Sequence, residues 1–130
     1  GTWKPGVTAY RTVADTERMR VAADRGRTAV VVGGGLLGLE AAKGLADLGL
    51  SVTVLHLFDT LMNNQLDRLG GQFLRRAVEG LGIAVRTGAT TKAVLGKHRA
   101  EAVLLGDGTE LPADLVVFAA GVRPRVELAK

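Results

Sequence analysis

Cysteine is missing from all 130 residues, which excludes a disulfide framework, a thiolate metal site, a cysteine nucleophile and a dithiol redox pair within this chain. Aromatic residues are scarce: three Phe, one Tyr and one Trp. So few rings offer no stacking platform for bases, and the sequence holds no zinc-finger, RNP-like or basic-zipper pattern. The 17 Lys and Arg against 13 Asp and Glu leave a net charge of +4, but the cations are scattered along the chain. They are expected to form a solvated basic face, and nucleic acid is not an expected partner. No apolar run approaches the ~20 residues of a membrane span, because glycine or charge interrupts each one; no membrane is expected either. Gly1 to Lys4 leads into a charged stretch and not an apolar signal segment, so the cytoplasm is the expected compartment.

What is present suits a single domain. The length fits one unit of ~100–200 residues. A composition that is 47% hydrophobic and 23% charged is far from that of a disordered chain. Thr28-Ala-Val-Val-Val-Gly33 is a short β-branched run closed by glycine, as in a strand buried on both faces. Leu37, Ala41, Leu45 and Leu48 then mark one face of a helix, and Gly49 stands where a left-handed cap belongs. Ser51 to His56 is the second strand, and Leu57 to Asn64 a connector. Leu66, Leu69, Phe73, Ala77 and Leu81 form a second helical stripe, expected to face the core. Gly82 ends that helix before a third strand, Ile83 to Thr87.

This βαβαβ unit implies right-handed crossovers and a parallel sheet. Beyond it, Ala93 to Leu95 and Ala102 to Leu105 are short strands, and Asp107-Gly108 suits a two-residue hairpin turn. Leu111-Pro-Ala-Asp114 is expected to break the pairing before a last buried strand, Leu115 to Ala119. Thr12 and Asp15 resemble a capping box, which predicts a helix over Val13 to Asp24 within a lead-in spanning residues 1–27. The expected fold is α/β: a Rossmann-like, mostly parallel sheet flanked by helices, with a small antiparallel β-meander.

Gly33-Gly34-Gly35-Leu36-Leu37-Gly38 matches G-x-G-x-x-G at the end of one strand and the start of a helix, the context that gives the pattern meaning. Gly33 lets the chain turn, Gly35 leaves room for a pyrophosphate, and Gly38 lets helix and strand approach. The helix start offers unpaired N–H groups to phosphate. A dinucleotide site usually carries an acid about 20 residues on, for the ribose. That position is His56, which could donate to a ribose hydroxyl or merely cap the strand. An imidazolium there would pair with a 2′-phosphate, so NADPH should gain on NADH as the pH falls. With no Lys or Arg beside His56 in sequence, NADH is the favoured cofactor. His98, in the polar turn Gly96-Lys-His-Arg99, is expected to be solvated, and Trp3 has no assigned role.

Val30-Val-Val-Gly-Gly-Gly-Leu-Leu-Gly-Leu-Glu-Ala-Ala42, Val52-Thr-Val-Leu-His56 and Gly108-Thr-Glu-Leu-Pro-Ala-Asp-Leu-Val-Val-Phe-Ala-Ala-Gly-Val-Arg-Pro124 occur in that order. Together they resemble the NAD(P)H-binding domain of the pyridine-nucleotide-disulfide oxidoreductase superfamily, over nearly the whole chain. Within it, His56-Leu-Phe-Asp-Thr-Leu-Met-Asn-Asn-Gln-Leu-Asp67 with Gly70-Gly71 is similar to the large subunits of assimilatory NAD(P)H nitrite reductases. The resemblance implies that residues 1–130 are one NAD(P)H-binding domain of a longer flavoenzyme, whose FAD domain, absent here, is its partner and hydride acceptor. It further implies sirohaem and an iron–sulfur cluster elsewhere in the parent, nitrite reduced to ammonium, and a parent homodimer.

The implied cofactor contacts are Gly33, Gly34, Gly35, Leu36, Leu37, Gly38, His56 and Gly121, with Glu40 toward the nicotinamide. Glu40 alternatively is a solvated carboxylate in the first helical turn, where the dipole favours it. This chain would hold no catalytic residue of its own and would be inactive alone. Two departures stand out: His56 where many relatives have Glu, and Ala120 where many have Thr. Alternatives are a domain of a ferredoxin- or rubredoxin-reductase-like flavoprotein or an NADH oxidase, and a non-catalytic nucleotide-sensing module.

Overall fold

Every second residue of the central strands faces a different layer, and that alternation sets the architecture. The computed structural model describes residues 6–10, 20, 21, 24, 26–63, 65–119, 128 and 129. In order these form β1 (Val7–Tyr10), β2 (Thr28–Val32), α1 (Leu36–Asp47), β3 (Ser51–Leu55), α2 (Arg68–Gly80) and β4 (Ala84–Arg86). There follow β5 (Thr91–Leu95), β6 (Ala102–Leu105), β7 (Glu110–Pro112), β8 (Leu115–Ala119) and β9 (Leu128–Ala129). A five-stranded sheet runs β1-β8-β2-β3-β4, and each neighbouring pair in it is parallel. A second sheet runs β7-β6-β5-β9, antiparallel from β7 to β5, with β9 parallel to β5.

Ala29, Val31, Val52, Val54, Leu115 and Val117 pack with Ala41, Leu45 and Val78 in a core between the parallel sheet and the helices. Val30, Val116 and Phe118, from the opposite pleat, pack with Val94, Val103 and Leu105 of the second sheet. Both faces of the parallel sheet are therefore covered, which is why β2 and β8 read as unbroken apolar runs. The α/β fold expected from the sequence is the fold observed. Gly49 and Gly82 sit at φ 94° and 87°, the left-handed positions that close α1 and α2. The Asp107-Gly108 turn joins β6 to β7 as expected, with the Asp107 carboxylate accepting the Thr109 N–H at 2.9 Å. That bond holds Asp107 below the ordinary carboxylate range.

Three expectations need correction. Pro112 does not break the pairing, since it still sits opposite Ala102 in the β6–β7 register; β7 lies at the sheet edge, where its missing N–H costs no ladder bond. Leu37 and Leu48 do not belong to the buried face of α1, which is made by Gly38, Ala41, Ala42 and Leu45. Most unexpected is α2, whose apolar stripe points outward: Leu69 and Phe73 are each 75% exposed, and Leu66, Ala77 and Leu81 are exposed with them. Its buried face is Gly71 and Val78, with Leu74 packed against the core. A Cβ on Gly71 would lie 2.8 Å from Thr60 Cβ, so the helix sits too close to the connector for a large side chain. Close approach has selected glycine where periodicity alone selects leucine.

The expected helix over Val13 to Asp24 falls largely outside the described residues. Asp114 ties the start of β2 to β8: its carboxylate accepts the N–H groups of Arg27 and Thr28 at 2.9 and 3.1 Å, and its own N–H donates to Thr28 O. The Arg27 amide, more than any other contact, holds Asp114 below the usual carboxylate range. Among the described residues, no helix is long and apolar enough to cross a membrane.

Candidate functional site

The site grows from the carboxyl end of β2, beside the point where the sheet order switches from β3 on one side to β8 on the other. In open α/β sheets that crevice is where ligands bind. Gly33 extends the β2–β3 ladder by donating its N–H to Leu55 O at 2.8 Å, then turns at φ 123°. A residue with a Cβ rarely adopts that angle.

The next three motif glycines are required for different reasons. A Cβ on Gly34 would stand 2.7 Å from both the His56 ring and Leu61 Cδ2, so this glycine is walled in. A Cβ on Gly38 would overlap the Gly33 carbonyl oxygen, so the helix start is packed onto the turn. A Cβ on Gly35 would meet nothing within 4 Å. Space is open at the one glycine where a pyrophosphate would approach.

Gly35 is also the N-cap of α1 and brings no side chain to cap it. The first intrahelical bond runs from Leu39 N–H to Gly35 O at 3.0 Å. The amides of Leu36, Leu37 and Gly38 are thus the donors a helix start leaves unpaired, and the dipole gives them partial positive charge. Open space, unpaired amides and positive potential coincide, and these residues fit the pyrophosphate of a dinucleotide. The Leu36 and Leu37 side chains are exposed and leave those amides uncovered by the core.

His56, just beyond β3, is brought against this turn. It is 8% exposed, the buried polar side chain among the described residues. Its Nδ1 accepts the Gly34 N–H at 2.9 Å, and its Nε2 lies 2.9 Å from Asn63 Oδ1. An amide N–H can only donate, so Nδ1 is the acceptor, Nε2 carries the hydrogen, and Asn63 Oδ1 receives it. Both ring nitrogens are spent within the chain, and neither is left for a ribose hydroxyl or a 2′-phosphate. The Phe58 ring lies 5.7 Å from the imidazole at a tilt of 58°.

The connector closes the other side of the turn. Met62 donates its N–H to Gly34 O at 2.9 Å and adopts φ 48°. Leu61 is fully buried. Asp67 caps α2 by accepting the Gly70 N–H at 2.7 Å. Leu61, Met62 and Asn63 escaped reasoning from the residues alone, because no periodicity marks a loop that folds back on a turn.

Glu40 occupies the fifth position of α1, in its second turn, where the helix has no acid in its first. It is exposed, with no hydrogen bond or ion pair among the described residues, and the dipole argument for it lapses. Gly121 lies outside the described residues. His98 is exposed, as expected. A separate shallow cavity of about 560 Å³ runs along the free edge of β4, lined by Arg75, Arg86, Thr87, Thr90 and Asp107, and does not include the glycine turn. Among the described residues, no three His, Asp or Glu side chains gather as a metal site would need.

Residues 2–130 match the family model described as pyridine nucleotide-disulphide oxidoreductase. The chain is 44% identical over 128 residues to a nitrite reductase [NAD(P)H] of Bacillus subtilis, covering 98% of this chain and 16% of that protein. It is 42% identical over 122 residues to the nitrite reductase (NADH) large subunit of Escherichia coli, covering 92% and 14% respectively. The crystal structure of a ferredoxin reductase from Rhodopseudomonas palustris superposes with a TM-score of 0.86 at 30% identity, over 91% of this chain and 30% of that one. The chain thus spans a small fraction of each of these relatives.

Proposed function

The chain belongs to the pyridine nucleotide-disulphide oxidoreductase family, and from that premise we propose that it is the NAD(P)H-binding domain of a longer, cytoplasmic FAD-dependent enzyme that reduces nitrite to ammonium. The observation that carries the cofactor assignment is the turn itself. Gly34 and Gly38 are walled in while Gly35 faces open space beside the unpaired amides of α1. A dinucleotide bound there supplies hydride; the chain's part is to bind and orient it. The leucine-flanked amides at 36 to 38 take the pyrophosphate, and Glu40 and Gly121 are assigned to the nicotinamide side. The electron route onward, through FAD, an iron–sulfur cluster and sirohaem, belongs to other parts of the enzyme, since this chain offers no cysteine thiolate.

NADH is the favoured nucleotide. NADP-binding relatives of this fold place a cation near the ribose, and here His56 spends both its nitrogens on Gly34 and Asn63. The nitrite assignment draws support from the Bacillus and Escherichia relatives. A second assignment, electron delivery to a ferredoxin, draws support from the Rhodopseudomonas likeness. Turnover of the full-length parent with nitrite against ferredoxin separates the two.

The direct test uses this chain. NADH should bind and raise its melting temperature, because a ligand at 100 times its Kd adds about 2.7 kcal/mol of stability. NADH absorbance in the presence of ferricyanide, nitrite or free FAD should then fall no faster than in buffer. Turnover in the enzymatic range, on the order of 1–10³ per second, would show that the chain needs no flavin domain. Absence of any NADH-dependent shift would refute the pyrophosphate site.

A further inference from the structure

We propose that His56 is a positioning residue for the glycine turn and not a ribose ligand, and that dinucleotide affinity therefore falls when its imidazole is protonated. This rests on the pyrophosphate site assigned above and concerns how that site is held in shape. Three consecutive glycines form the turn, and glycine loses more backbone freedom on ordering than any other residue. Left alone, Gly33-Gly34-Gly35 would have to be ordered by the ligand, at the expense of affinity.

The structure orders the turn in advance. The Gly34 residue is held at both ends, its N–H by His56 Nδ1 and its C=O by the Met62 N–H, each at 2.9 Å. Met62 reaches that position at φ 48°, a conformation uncommon outside glycine. The imidazole and Leu61 press so closely that no Cβ fits on Gly34. His56 is in turn fixed by Asn63 on Nε2 and by its own backbone, whose N–H donates to Arg86 O and whose C=O accepts from Ala89 N–H. β3 and β4 thereby set the geometry in which α1 presents its amides.

Protonation reverses the sense of this contact. A proton on Nδ1 would place two donors face to face where one donor and one acceptor stand now. The Gly34 bond is lost and the turn is freed. The groups against the ring, Gly34, Leu61, Asn63 and Phe58, do not ionise. Of the adjoining segments, the connector carries Asp59 and β4 carries Arg86, whose backbone oxygen accepts the His56 N–H; both side chains are exposed. Acidification should thus weaken both nucleotides, the opposite of what an imidazolium reaching for a 2′-phosphate would do for NADPH.

Two substitutions separate the roles. Asn carries an acceptor at the place of Nδ1, whereas Gln places its amide near Nε2 and leaves Gly34 without an acceptor. NADH and NADPH binding to wild type, His56→Asn and His56→Gln is measured by calorimetry at about pH 8 and about pH 6, with circular dichroism to confirm folding. The expected result is near wild-type affinity for His56→Asn and about a ten-fold loss for His56→Gln, equal to about 1.4 kcal/mol. Wild type weakens on acidification, and His56→Asn does not. Equal affinities for the two variants, or a retained Gln and a failed Asn, would overturn the proposal. So would a gain in NADPH affinity at the lower pH.

If His56→Gln fails to fold, wild type alone decides through nitrogen-15 NMR without cofactor. His56 should show hydrogen on Nε2, and the Gly34 amide should shift with the same midpoint as the His56 ring. A hydrogen on Nδ1, or a Gly34 amide indifferent to that titration, would overturn it. Failure of wild type to bind NADH at all, with the NMR coupling intact, would instead refute the pyrophosphate site.

Discussion

The Gly38 Cα faces the Gly33 carbonyl oxygen so closely that a methyl group between them would overlap it. The first turn of α1 is thereby seated on the end of β2, and the glycine three residues earlier is left facing open space. One stretch of glycines contains a packing contact and an open position, and substitution should tell them apart.

Gly38→Ala should destabilise the fold. Alanine is favoured over glycine in a helix by about 1 kcal/mol, but the collision here is with backbone, and overpacking costs about 1–3 kcal/mol. Gly35→Val should leave stability within about 1 kcal/mol, since it loses only an N-cap glycine, and should abolish NADH binding. Urea denaturation with an NADH titration of each variant checks this. A Gly35→Val chain that binds like wild type would contradict the pyrophosphate assignment.

The outward stripe of α2 makes the second expectation. Leu69→Ala and Phe73→Ala should each change stability by less than about 0.5 kcal/mol, as exposed positions do. Gly71→Ala should cost about 1–3 kcal/mol, because the new methyl meets Thr60 and the Leu61 carbonyl. Urea midpoints of the three variants rank them. A larger loss at Phe73 than at Gly71 would mean that α2 is rotated from the orientation described.

Asp114 gives a pH dependence with a definite sign. Its folded-state pKa is lowered, chiefly by the Arg27 amide, so its contribution is complete above the unfolded carboxylate pKa of about 3.9. It fades as the pH falls through the lower folded value. Asp114→Ala should cost about 1–3 kcal/mol near neutrality by stranding the Arg27 and Thr28 amides. Melting curves of both proteins from about pH 7 to about pH 3 should converge at the acid end. A constant gap would show that the carboxylate charge is immaterial.

Arg75 staples α2 to the free edge of the parallel sheet. Its guanidinium donates to Val85 O at 2.9 Å and to Thr87 Oγ1 at 3.2 Å, while its Nε reaches Glu79 at 3.4 Å. β4 is the outer strand, and an uncovered strand edge invites pairing with another chain. Arg75→Ala should cost about 1 kcal/mol and raise light scattering on heating. An unchanged scattering profile would show that the cap on Val85 does not restrain association.

The sequence by itself determined the strands of the βαβαβ unit, the hairpin and the last buried strand, the doubly covered sheet and the place of the glycine turn; it did not mark β1 or β9. These follow from local facts: β-branched runs such as Thr28 to Val32, glycines that must sit at positive φ, and Asp-Gly at a hairpin. It also carried the family, because the glycine turn and the last strand are contiguous motifs. Tertiary structure alone decided which face of α2 is buried and which partners His56 meets. Periodicity counts hydrophobic side chains but not distances. Where α2 rides directly on Thr60 and Leu61, Gly71 is the buried residue and Leu69 and Phe73 are left outside. The choice of His56 between ribose and strand end was open in the sequence because its partners, Gly34 and Asn63, come from two other segments. Parallel pairing of β2 with β3 brings an acceptor nitrogen to an amide 22 positions earlier, and only folding the connector back brings Asn63 to the other ring nitrogen.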